Sequence, residues 1–206
     1  MLCPRTIKLG GEDVLVNDDQ MVGYKEYMTQ KHRTLFLSGI FTGEMESHNL
    51  LMALDNLSHD PITLVITSPG GDLDSTFLFY DTMKLMKSSI ITIGRYCASA
   101  AAIILAAGNK RYLFPHARVM LHLPSNFFSK DIAIQIQDME IIHRESRKYK
   151  ERMMEILCEC GVKKTREEIL ADLDRDFWME PKEAIAYGLA DEIFTPEIWR
   201  GWLNKC

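Results

Sequence analysis

No stretch of this 206-residue chain approaches the ~20 uninterrupted apolar residues that a membrane span requires; the best candidate, Cys97 to Gly108, is too short. Basic residues are not in excess either. The 24 Lys and Arg stand against 29 Asp and Glu, a net charge of −5, which gives no global pull toward nucleic acid or an anionic membrane. The opening MLCPRTIKLGGEDVLV has no basic segment leading into an apolar run. No secretory signal is therefore expected, and the cytoplasm is the expected compartment, or an organelle if a leader has been removed. The five cysteines make no pair of CxxC modules, Cys158 and Cys160 forming only a C-x-C, so reduced structural cysteines are expected. His32, His48, His59, His116 and His143 stand in no metal-ligand spacing such as HExxH, and no metal or cofactor is expected. There is no internal repeat and no low-complexity segment.

What is present is a composition close to that of folded proteins, 47% apolar and 26% charged. From Thr34 onward, short β-branched or apolar runs alternate with longer segments of helical period, the pattern of repeated βαβ units in an α/β fold. Strands are predicted at Leu35–Leu37, Ile62–Ile66, Ile90–Ile93, Tyr112–Phe114 and Val119–Leu121, with Ser68-Pro69-Gly70-Gly71 and Gly94 as breaks. Helices are predicted over residues 43–58, from Asp72 to Lys87, and over the alanine-rich Ala98 to Ala107, which reads as buried on most sides. Thr165 and Glu168 have the form of a capping box, and Pro181 opens a helix to Tyr187. From about Lys130 to Cys160 there is no proline or glycine, and a helix of that length runs about 45 Å, the diameter of a whole domain. Part of it is expected to project and to offer Ile, Met and Tyr as an oligomer contact. Residues 1–33 show no clear period and are expected to form a mobile N-terminal segment ahead of one domain over residues 34–206.

The informative feature for chemistry is Ile93-Gly94-Arg95-Tyr96-Cys97-Ala98-Ser99-Ala100-Ala101-Ala102, a strand, a glycine and a small-residue helix with one hydroxyl in its first turn. The positive end of a helix stabilises an alkoxide or a nearby oxyanion, which favours Ser99 as a nucleophile. Read alone, a serine here also fits an N-cap or a small packing residue. Gly70 and Gly71 leave backbone N–H groups unobstructed, as an oxyanion hole needs, although a tight turn needs glycine equally well. His122 ends an apolar strand, where α/β sheets present site residues. A hydroxyl becomes a strong nucleophile only when a positioned imidazole takes its proton, and that imidazole needs a carboxylate to fix its tautomer. Asp172, Asp174 and Asp176 follow, and spacing alone does not choose among them.

Several segments together resemble the proteolytic subunit of the Clp protease family: Ile66 to Gly71, Tyr80-Asp81-Thr82-Met83, Ala98-Ser99, Leu105 to Gly108, Arg118 to His122, Asp174 to Phe177, and Ala184 to Asp191. The similarity spans roughly Leu35 to Phe194, with the segments in the same order and at similar spacing. The resemblance implies a serine endopeptidase with a crotonase-like α/β fold and a long handle helix, and it places the nucleophile on Ser99, the histidine on His122 and the aspartate on Asp176. The oxyanion hole falls on the N–H groups of Gly71 and Ala100. It further implies peptides or unfolded proteins as substrate, a heptameric ring, stacking into a double ring around a proteolytic chamber, and an AAA+ unfoldase partner that uses the ATP. Three features differ from the family pattern. Ser99-Ala100-Ala101 stands where the family usually has Ser-Met-Gly, the stretch from His122 to Asp131 is shorter than the family's glycine-rich strand, and the N-terminal region has no match to its pore loops. The first two differences keep open a noncatalytic ring subunit or assembly scaffold, and the paired backbone N–H groups, which also suit a thioester oxyanion, keep open an acyl-CoA enzyme on the same fold.

Overall fold

A computed structural model of the chain describes residues 5–9, 12–16, 18–43, 46–124 and 135–203. It opens with a hairpin of β1 (Arg5–Leu9) and β2 (Glu12–Val16), paired antiparallel as a sheet of their own. Helix α1 (Asp18–His32) follows and packs on β3 (Thr34–Phe41), in a region where the sequence predicts no element. The reason is visible in its burial: over residues 23–32 only Met28 is buried, so this part of the helix has no buried apolar stripe for a periodicity to reveal.

The rest alternates as expected, with helix α2 (Glu46–Leu57), β4 (Ile62–Gly71), α3 (Leu73–Leu85), β5 (Ile90–Ala98), α4 (Ala100–Ala106) and β6 (Lys110–Leu121). Then come α5 (Ile136–Glu159), α6 (Arg166–Asp172), β7 (Phe177–Met179), α7 (Pro181–Tyr187), β8 (Glu192–Ile193) and α8 (Pro196–Leu203). Strands β3, β4, β5 and β6 pair in parallel in that order, β7 adds antiparallel to β6, and β8 pairs with the first half of β6. The caps are those the sequence announces. Asp72 accepts from the Ser75 N–H at 2.7 Å to start α3, and Thr165 with Glu168 closes a capping box on α6.

Three strand boundaries differ from those the residues suggest. Ser68–Gly71 does not break β4 but continues it, with Gly70 and Gly71 opposite Ile40 and Phe41 of β3. Gly94 does not end β5 but marks a register shift, after which Tyr96, Cys97 and Ala98 pair with Arg118, Val119 and Met120. The two strands predicted around Pro115 are one, β6, whose middle carries the same shift. A proline that cannot donate to the ladder therefore sits at the irregularity rather than at an end.

The core fills the space between this sheet and its helices. Every residue of α4 is buried, and the helix packs against β4, β5, β6, α3 and α5. Ile66, Ile93, Leu113, Phe79 and Ile104 are among the fully buried side chains, each contributing about 1.5–3 kcal/mol by leaving water. The long helix is only partly a projection. Its last turns bury Met153, Met154, Ile156 and Leu157 in the core, whereas Ile136, Met139 and Ile141 are exposed. Residues 130–134, where the sequence also predicts this helix, lie outside the described residues, as does the segment 125–134 on which the shortened connection falls. Arg111 ties the far side together. Its guanidinium donates to Cys160 O (2.9 Å) at the end of α5, to Gly188 O (2.8 Å) at the end of α7, and to Asp191.

Candidate active site

The backbone turns sharply where β5 meets α4. Ser99 occupies the turn with φ 56° and ψ −125°, so it precedes the helix as its N-cap rather than lying in the first turn, where the sequence pattern suggests it. Among the described residues only Arg33 and Ser99 combine a side chain with positive φ. A conformation of this kind costs about 1–3 kcal/mol and persists only where its surroundings impose it. Here they do: the Ser99 N–H donates to Met120 O at 2.8 Å, and Ser99 O accepts from the Ala102 N–H at 3.0 Å. Its hydroxyl makes no capping bond to its own helix and is free to face outward.

Gly70 allows this turn to sit against β4. A Cβ there would stand 2.6 Å from Ala98 O, 2.8 Å from Ala100 N and 3.0 Å from Ser99 Cβ, and its φ of 93° lies in the region that favours glycine. Gly71 is equally confined, since a Cβ on it would come within 2.2 Å of Phe41 O. Gly70 thus brings bare backbone against Ser99 and Ala100, and Gly71 follows it in the wall of the same cavity. Ala100 is the first residue of α4, and a helix gives its first N–H groups no internal partner.

His122 is the first residue beyond β6 and Asp176 the last before β7. Because Leu121 pairs with Phe177 in the antiparallel ribbon, the next row out brings His122 opposite Asp176. The result is a chain of three side chains. Ser99 Oγ lies 2.7 Å from His122 Nε2, and His122 Nδ1 lies 3.3 Å from Asp176 Oδ1. With Nδ1–H directed at the carboxylate, Nε2 is the acceptor that faces the Ser99 hydroxyl. The other two aspartates are elsewhere: Asp174 pairs with Arg175 at 3.3 Å, and Asp172 lies near the Tyr187 hydroxyl. His48 bonds Thr82, and His59 pairs with Asp55, so neither approaches Ser99.

A cavity of about 290 Å³ opens beside Ser99, with Gly70, Gly71, Ala100 and His122 in its wall. The remainder of its lining is mostly apolar: Ile40, Leu73, Ile103, Met120, Pro124 and Met153. No sequence signal identifies these residues as lining one site, because they come from β3, α3, α4, β6, α5 and the segment after β6 and meet only in the fold. A larger depression of about 730 Å³ lies between α1, β3 and α2 and shares only Ile40 with this one; it includes neither Ser99 nor His122. Among the described residues no group of three or more His, Cys, Asp or Glu is arranged to hold a metal ion, and no helix is long and apolar enough to cross a membrane.

Comparison with known proteins identifies the family. The sequence model of the Clp protease family matches residues 19–197. The ATP-dependent Clp protease proteolytic subunit 2 of Pseudomonas aeruginosa is 36% identical over 172 residues, 81% of this chain and 83% of its own. The corresponding subunit of Carsonella ruddii is 36% identical over 182 residues, 84% of this chain and 87% of its own. Among solved structures, a point mutant of ClpP1 from Listeria monocytogenes superposes with a TM-score of 0.73 at 30% identity, covering 82% of this chain and 98% of that one. The mostly parallel sheet flanked by helices is thus the α/β fold of ClpP, and the chain belongs to the Clp protease family.

Proposed function

We propose that this member of the Clp protease family hydrolyses peptide bonds through an acyl-enzyme on Ser99, within one peptidase domain spanning residues 34–206. The observation that carries the reading is the 2.7 Å contact between Ser99 Oγ and His122 Nε2, at a turn the fold holds in a strained conformation. The Ser99 hydroxyl attacks the carbonyl carbon of the scissile bond while its proton passes to His122 Nε2. Asp176 orients the imidazole and stabilises the imidazolium that forms. The new oxyanion is held by the N–H groups of Gly71 and Ala100. When the C–N bond breaks, the amine leaves with the proton from His122; water then enters, loses a proton to His122 as its oxygen attacks the acyl carbon, and the acid is released as the C–Oγ bond breaks and His122 returns the proton to Ser99 Oγ. No step consumes ATP or a cofactor. The apolar cavity wall of Leu73, Ile103 and Met153 suits an apolar side chain on the acyl side of the cut.

Family membership supports peptides and unfolded proteins as substrate, a ring oligomer, and an ATP-using AAA+ unfoldase that delivers the substrate. A heptamer, its stacking into a double ring, and a cytoplasmic location belong to the same proposal. A serine-directed fluorophosphonate, with a Ser99→Ala control, tests the chemistry: an adduct located on Ser99 by mass spectrometry and absent from the control is the expected result. No adduct on folded, assembled protein would shift the reading to a noncatalytic ring subunit. Mass measurement by light scattering tests the heptamer and the double ring.

A further inference from the structure

Strands β6 and β7 form a short antiparallel ribbon in which Met120 faces Trp178 and Leu121 faces Phe177. Side chains alternate between the faces of a strand, so Val119, Leu121 and Met179 turn to the core while the other face carries three cross-strand rows. The first row is His122 with Asp176. The second is Met120 with Trp178, and the third is Arg118 with Glu180, an ion pair at 3.5 Å. Arg118 also lies over the Trp178 ring, 5.0 Å from its centroid. Tyr96, the register partner of Arg118 on β5, brings its own ring to 6.1 Å from the same indole. Strands β5 and β6 thus both contact Trp178, yet it remains 39% exposed.

The position of this indole is what gives it meaning. Met120 is at once the cross-strand neighbour of Trp178 and a wall of the cavity at Ser99, so one residue separates the indole from the site. Rows on one strand face are about 6.8 Å apart, the advance of two residues in an extended peptide. In the proposed reaction the acyl residue's side chain takes the apolar part of the cavity, between Leu73, Ile103 and Met153. The leaving amine must lie at His122 Nε2 to receive its proton, and His122 stands one row along the same ribbon face from Met120 and Trp178, which offers the chain beyond the cut a path over the ribbon.

We infer that Trp178, braced by Arg118 and Tyr96, is a subsite for a large apolar or aromatic substrate side chain on the leaving-group side, about two residues from the scissile bond. The inference rests on the Ser99–His122–Asp176 reading. An acidic side chain is not favoured, because the charge of Arg118 is already matched by Glu180. What the site offers is the exposed surface of an aromatic ring contacted by Arg118 and Tyr96, which loses less entropy than an unsupported ring when another ring or an aliphatic group covers it.

The test uses internally quenched peptides cut by the assembled wild-type protein, varied only at the second and third residues after the scissile bond. Phe, Tyr or Leu there should raise kcat/KM about three- to tenfold over Ser or Asp, the worth of one aromatic contact. In Trp178→Ala the preference should vanish while fluorophosphonate still labels Ser99; Trp178→Phe should keep part of it. A flat wild-type profile with Ser99 labelled, or a preference that survives in Trp178→Ala, overturns the subsite and leaves the catalytic reading standing. Absence of labelling in the wild-type protein overturns the catalytic reading itself. Because the first comparison needs only the wild-type protein, poor folding of a variant does not shield the idea.

Discussion

Gly70 lies so close to Ala100 that a single added carbon would stand 2.8 Å from the Ala100 nitrogen, the proposed oxyanion donor. That contact links the β4 end to the α4 start and makes the identity of one glycine a condition for the geometry at Ser99.

Gly70→Ala should therefore reduce kcat/KM for a peptide substrate by about 10²-fold or more, the cost of displacing one donor of an oxyanion hole. The variant must shift either the turn or the Ala100 N–H. Peptidase kinetics beside a thermal melt separate this from unfolding, and activity within a factor of three of the wild type would remove Ala100 from the proposed hole.

Asp176→Asn is expected to lower kcat with little change in KM, since the carboxylate acts on His122 and not on bound substrate. The carboxylate is 60% exposed and sits 3.3 Å from Nδ1, so water shares its work and the loss should be about 10²-fold, at the low end for a group in general acid–base catalysis. The same substitution at Asp172 or Asp174 should leave kcat unchanged.

Arg111→Ala should destabilise the fold by about 2–4 kcal/mol, measured by chemical denaturation. It removes the donor shared by Cys160 O, Gly188 O and Asp191, leaving two helix ends and a half-buried carboxylate without it. Burial works to raise the Asp191 carboxyl, but the Arg111 hydrogen bonds outweigh it and hold the group below its ordinary value. Lysine cannot span the three acceptors with one ammonium, so Arg111→Lys should recover only part of the loss.

Acid should expose the role of Asp55. Hydrogen bonds from the Ser88 side chain, then from the Ser88 and Lys87 N–H groups and His59, pull its carboxyl from 3.8 down to about 2, against the effect of burial. The folded value lies below the unfolded one, so its stabilising contribution is complete above about pH 4 and is lost as pH falls toward 2. Denaturation midpoints of Asp55→Asn should trail the wild type at pH 7 and converge with it near pH 2; a constant gap across that range would assign the stability to something other than this ionisation.

Charge on the outer part of α5 should affect assembly more than folding. Ile136 and Met139 are 74% and 58% exposed, so Ile136→Glu with Met139→Glu removes no core contact. Light scattering should show a smaller particle with an unchanged far-UV spectrum. Met153 is the wrong place for this test, since it is buried and lines the Ser99 cavity.

Local chemistry is legible in short stretches of the chain. The Thr165–Glu168 box, Pro181 at a helix start, and the alanine-rich run after Ser99 each form the element their residues favour, because caps and propensities act over a few neighbours. Helix α1 is not legible because its residues form no apolar stripe, and β6 reads as two strands because Pro115 interrupts its ladder but not its course. Among the three aspartates, residue spacing leaves the choice open and the family likeness points to Asp176.

By itself, then, the sequence determined an α/β alternation, a serine at a strand–helix junction, and a histidine at a strand end, all properties of short windows. Only the tertiary structure decided that Ser99 adopts φ 56°, that Gly70 abuts Ala100, and that Asp176 faces His122 across the ribbon. Each depends on register between strands far apart in the chain. A one-residue slip of β7 against β6 would turn Asp176 to the opposite face, and no local pattern records that register.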